Sequence, residues 1–136
     1  MFTAKTTRLL IADDDPDLLA AYALFFCVYG FEIRTAGDGE DALAEYCAWH
    51  PAVALLDIDM PRLDGRAVAR AIRRVQTTPS PLLLAVTGLT SAWEYDESMR
   101  SGLNHHFVKP VLMPVILTAI ARGLENQNGM RGPGIG

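Results

Sequence analysis

Long apolar runs, cysteine pairs and an excess of basic charge are all missing from this sequence, and each absence removes a class of protein. The longest apolar stretch, LLAAYALFFCVYGF at 18–31, falls short of the roughly 18 residues a bilayer-spanning helix needs. It predicts a core helix and no membrane insertion. The opening MFTAKTTRLL has neither the apolar core nor the cleavage pattern of a secretory leader, so a cytoplasmic protein is expected. Cys27 and Cys47 have no CxxC spacing and no His/Cys cluster near them, which reads as two reduced helix residues rather than a bridge or a metal pair. Twelve Lys and Arg stand against 16 Asp and Glu, a net charge of -4, which weighs against nucleic-acid binding. No repeat period and no break in composition divides the 136 residues, so one main domain is expected.

What is present is an alternation of short apolar runs with helical patterns. RLLIA at 8–12 is a continuous run of the kind found in a strand buried on both faces. Asp15 as N-cap, Pro16 in the first turn and Gly30 as stop then bound a helix. FEIRT at 31–35 alternates like a strand with one wetter face, DGEDALAEYCAWH reads as a helix, and AVALL at 52–56 is another buried strand. RAVARAIRRVQ, SAWEYDESMRS and MPVILTAIARGL supply three more helices, with strands LLLAV at 82–86 and HHFV at 105–108 between them. Five βα units with short loops make a doubly wound parallel α/β sheet. Residues 1–7 read as an N-terminal extension, 8–124 as the domain, and the Gly-rich 125–136 as a disordered tail.

Ligands of such sheets bind at the carboxyl ends of the strands. Asp13 and Asp14 follow the first strand, Asp57 the third, Thr87 the fourth and Lys109 the fifth. Neighbouring first and third strands bring three carboxylates together, and these repel unless a cation sits among them. Hard oxygen ligands suit Mg²⁺. A hydroxyl and an ammonium opposite suit a phosphoryl group, and the Asp57 carboxylate then serves as nucleophile.

ADDDPD, LLDIDMPRLDG, VTG and FVKP, in that order and spacing, resemble the receiver domain of two-component response regulators over residues 8–124. The resemblance implies a flavodoxin-like (βα)5 sheet in the order 2-1-3-4-5. It implies that Asp57 takes a phosphoryl group from a histidine kinase or histidine phosphotransfer protein. Asp13 and Asp14 would hold Mg²⁺ with Asp57 and the backbone carbonyl of Asp59, while Thr87 and Lys109 bind phosphoryl oxygens. Pro110 would follow a cis peptide bond. Thr87 and the residue three before the lysine form the family's switch, and here that residue is His106 rather than an aromatic. Output would run through the helix 4–strand 5–helix 5 face to a second copy or another protein, in a chain that acts on no substrate but its own phosphoryl group. Such a chain would be a stand-alone regulator or a receiver excised from a hybrid kinase. Met113 before Pro114, and Leu89 after Thr87, also depart from the family pattern.

Two enzyme readings compete. GDGEDA at 37–42 matches a dinucleotide-binding pattern, but three carboxylates would crowd a pyrophosphate, and the motif follows the second strand rather than the first. ALLDIDM also resembles the nucleophile loop of haloacid-dehalogenase phosphatases, whose paired metal-binding acids follow the lysine instead of preceding everything. Elsewhere, Arg66, Arg70, Arg73 and Arg74 read as a solvated basic face, and Trp49 and Trp93 as packing groups. The stretch 111–121 carries no charge, which means burial on all sides or an open partner face.

Overall fold

The computed structural model describes residues 6–88 and 91–129. Five parallel strands alternate with five helices: β1 Arg8–Ala12, α1 Pro16–Val28, β2 Glu32–Ala36, α2 Gly39–Trp49, β3 Val53–Asp57, α3 Gly65–Val75, β4 Leu82–Thr87, α4 Ala92–Arg100, β5 His105–Val108 and α5 Met113–Gly129. The sheet order is β2-β1-β3-β4-β5. The alternation of runs implies a doubly wound sheet, and the flavodoxin-like strand order is the one the family resemblance implies.

Burial explains the composition of each strand. Every residue of β3 and β4 is buried, because helices cover both faces of the central strands, and both are almost wholly apolar. The edge strands β2 and β5 are wetter and more polar. Alternation within the strands divides the core into two layers. Leu9, Ile11, Val53, Leu55, Leu84 and Val86 pack with Tyr22, Phe26, Ile116 and Ile120 of α1 and α5. Leu10, Ala54, Leu56, Leu83 and Ala85 pack with Ala42, Tyr46, Val68 and Ile72 of α2 and α3.

Helix ends follow local chemistry. Asp15, Asp38, Asp64 and Ser91 cap α1, α2, α3 and α4, each side chain accepting from backbone N–H groups of the first turn. Gly30, at φ +92, ends the α1 segment in a conformation that glycine adopts freely.

Three expectations change. The arginines of α3 form a solvated face only in part. Arg66 is buried and bonds Ser98 and Glu94; Arg73 donates to the carbonyls of Gly102 and Pro81 and to Asn104; Arg70 donates to Ser101. Arg70 and Arg74 stay exposed, while the guanidinium of Arg66 reaches α4 and that of Arg73 reaches the approach to β5. Trp49 is buried beneath Arg8 and Arg34, whereas Trp93 is 60% exposed and packs little. Helix α5 continues to Gly129, past the boundary at 124, with Ile116 and Ile120 inward and Leu112 and Val115 exposed around its start. Leu89, the extension's residues 1–5 and the tail from 130 lie outside the described residues. Among the described residues no helix is long and apolar enough to cross a membrane.

Candidate functional site

The parallel sheet carries its polar residues to one edge. Asp13 follows β1, and its backbone N–H donates to the Ala36 carbonyl at the end of β2, 3.1 Å away, which locks the two strand ends together. Asp57 is the last residue of β3 and lies beside Val86 of β4. Thr87 ends β4, and its carbonyl accepts the Lys109 backbone N–H at 2.7 Å. The Lys109–Pro110 bond is cis, as expected.

Asp13 and Asp57 are 2% and 5% exposed, and Asp14 stands in solvent at the rim. One carboxylate oxygen from each of Asp13, Asp14 and Asp57 lies within 4.8 Å of the other two. Opposite them stands Lys109, whose Nζ is 3.3 Å from Asp13 Oδ2 and 3.7 Å from Asp57 Oδ1. The remaining Asp13 oxygen accepts from the Asp15 N–H, and Asp57 Oδ1 accepts from the Asp59 N–H at 3.2 Å.

The charges do not balance, and Asp57 shows it. Burial, followed by the Asp13 charge, pushes its carboxyl up to about 6, against the pull of Lys109 and the Asp59 N–H. Burial works against the charge on Lys109, but Asp57, Asp13 and the hydrogen bond to Asp13 outweigh it and hold the ammonium above the ordinary lysine range. Tyr22, which sequence reasoning passed over as core, reaches beneath this corner from α1. Burial raises its phenol, and the charges of Lys109, Asp13 and Asp57 all act on it. Three clustered carboxylates, two of them buried and sharing one ammonium, fit a hard divalent cation.

Two glycines let the surrounding loops approach. A Cβ at Gly65 would meet the backbone carbonyl of Asp57, so only glycine lets α3 begin directly against the end of β3. A Cβ at Gly39 would collide with the Leu63 carbonyl, where the loop after Asp57 rests on α2. Arg62 clips the same loop to the α2 cap through Asp38, 3.0 Å away. The sequence reading named none of these as part of the site. The glycines of DGE and LDG were visible, but their role depends on loops that meet only in three dimensions.

The acid corner at the carboxyl ends of a 2-1-3-4-5 sheet, faced by a strand-end lysine before a cis proline, defines a class of phosphoryl-handling signalling domain. A family model described as response regulator receiver domain matches residues 9–121, and this chain belongs to that family. It is 31% identical over 116 residues to the transcriptional regulatory protein PrrA of Mycobacterium leprae, covering 85% of this chain and 49% of that one. Over 122 residues it is 31% identical to the regulatory protein AtoC of Escherichia coli, covering 89% and 26%. The chain thus spans half or less of the length of these relatives. Among solved structures, a CheY-like receiver domain protein from Methanospirillum hungatei superposes with TM-score 0.86 at 25% identity, covering 93% and 99%. Chemotaxis protein CheY4 of Vibrio cholerae gives 0.81 at 25%, covering 87% and 98%. A phosphoacceptor role in two-component signalling follows from the family, and nothing in these likenesses supports the dehalogenase alternative.

Proposed function

We propose that Asp57 is the phosphoacceptor and that the donor is a phosphohistidine on a histidine kinase or phosphotransfer protein. A carboxylate oxygen of Asp57 forms the new O–P bond as the N–P bond of the donor breaks, and the freed imidazole keeps the electron pair and takes up a proton. Asp13, Asp14, Asp57 and the Asp59 carbonyl would hold Mg²⁺, which would supply positive charge against the phosphoryl oxygens. Lys109 moves its ammonium from the carboxylates to a phosphoryl oxygen, and the Thr87 hydroxyl takes another. Little bond chemistry is left for the protein, so positioning and charge neutralisation carry the reaction. Beyond forming and losing its own acyl phosphate, the domain turns over no substrate. The reaction takes place in the cytoplasm, where such donors work.

One observation carries this reading: a buried aspartate at a strand end, raised to about 6, with two more aspartates and a lysine on the same corner. The switch pair is Thr87 with His106, and output passes through α4, β5 and α5. Tyr95, Val108, Leu112 and Val115 leave apolar surface there for a second copy or a target protein. The test is incubation with acetyl phosphate and Mg²⁺ followed by intact-mass measurement. One acid-labile, hydroxylamine-sensitive phosphoryl group is expected on the wild type and none on Asp57→Asn. Equal labelling of the variant overturns the assignment, and multiple turnover of a small phosphomonoester would return the phosphatase reading.

A further inference from the structure

Ser98 of α4 is fully buried, and its hydroxyl stands between side chains of two other elements. Arg66 Nε of α3 donates to Ser98 Oγ at 3.1 Å, and His106 Nδ1 of β5 lies 2.8 Å from the same oxygen. Arg66 also donates through Nη2 to the carbonyl and the carboxylate of Glu94, and Tyr95 meets the His106 ring edge-on at 5.5 Å between centroids. A serine hydroxyl has one proton and two lone pairs, and a guanidinium only donates. Were Nδ1 also a donor, the buried Ser98 proton would have no acceptor among these partners. The satisfied arrangement has Ser98 donating to Nδ1, with His106 neutral and its own proton on Nε2.

The phosphoryl chemistry uses neither Arg66 nor Ser98, yet the chain they form with His106 is tied to both sides of the site. Thr87 ends β4 and leads into α4, which carries Ser98. His106 shares β5 with the approach to Lys109 and lies opposite Ala85 in register. We infer that Arg66 and Ser98 are positioning residues that latch His106, and α4 with it, in the arrangement in which Lys109 pairs with Asp13 and Asp57. This rests on the phosphoacceptor reading: a phosphoryl group on Asp57 draws Lys109 and Thr87 to its own oxygens and so pulls on the two strands that flank the latch. A contact that favours one of two arrangements lowers apparent affinity for any ligand of the other, so breaking the latch tightens that ligand.

Two measurements on the intact chain test this. Without any ligand, side-chain ¹⁵N NMR should place the His106 proton on Nε2 with Nδ1 accepting. Ser98→Ala should lose that hydrogen-bonded Nδ1 signature and Ser98→Thr should retain it. A wild type protonated at Nδ1, or a signature unmoved by Ser98→Ala, overturns the latch. With Mg²⁺ present, titration with beryllofluoride should give about fivefold tighter binding to Ser98→Ala and Arg66→Gln, and wild-type binding to Ser98→Thr. Equal or weaker binding to both latch-breaking variants, alongside normal wild-type binding, overturns the coupling. A wild type that binds no beryllofluoride overturns the phosphoacceptor reading and the coupling together, while the NMR result still decides whether Ser98 holds His106.

Discussion

Replacing Asp57 by asparagine should make the metal-free fold more stable, although it removes the proposed phosphoacceptor. The Asp57 carboxyl rises from 3.8 to about 6 on folding, chiefly through burial and then through the Asp13 charge. About 2 pK units at about 1.4 kcal/mol each is a cost on the order of 3 kcal/mol for ionising it in the fold. The sign is that of a raised group: the protonated form's stability is fully present below about pH 3.8 and is lost as pH rises through about 6. Asparagine keeps an oxygen that accepts the Asp59 N–H, and Lys109 keeps Asp13 at 3.3 Å, so little offsets the gain.

Urea denaturation in EDTA should therefore show Asp57→Asn more stable by about 2–3 kcal/mol at pH 7.5, with the advantage shrinking to near zero by about pH 4. Saturating Mg²⁺ should narrow the gap at pH 7.5, because metal binding stabilises the wild type by mass action and the variant much less. A variant no more stable than wild type at pH 7.5, or one whose gain is the same at both pH values, would refute the electrostatic account of this site.

Other outcomes follow from the same geometry. Mg²⁺ affinity, read by isothermal titration, should fall as pH drops below about 6, where Asp57 takes up its proton, and should fall at least tenfold at neutral pH in Asp13→Asn. Lys109→Ala should bind Mg²⁺ at least as tightly as wild type, since a competing cation has gone, yet lose most of its response to beryllofluoride. Gly65→Ala should cost about 1–3 kcal/mol in urea denaturation, because the added methyl meets the Asp57 carbonyl, and should slow labelling by acetyl phosphate; an unchanged midpoint would mean the α3 start is not held where it lies.

The strands, their order of burial and most helix caps were legible because they depend on near neighbours in sequence. Continuous apolar runs become central strands, and an aspartate before a helical pattern caps it wherever the helix packs. The candidate acid corner was legible too, since strand ends of a parallel sheet share one edge. Asp13, Asp57, Thr87 and Lys109 could be located from where each apolar run stops. Arg66 and Arg73 were misread because spacing along a helix tells which residues share a face and not what that face meets. Their bonds to Ser98, Gly102 and Asn104 exist because α4 and the β5 approach fold down beside α3, far along the chain. The same limit hid the value of Gly65 and Gly39, which matter only where another segment's carbonyl arrives. Sequence by itself determined which groups stand at the strand ends and hence the chemistry open to this protein. Tertiary packing alone decided how far burial and a single lysine leave Asp57 out of electrostatic balance, and which buried serine holds His106, because dielectric environment and long-range contact are properties of the folded chain.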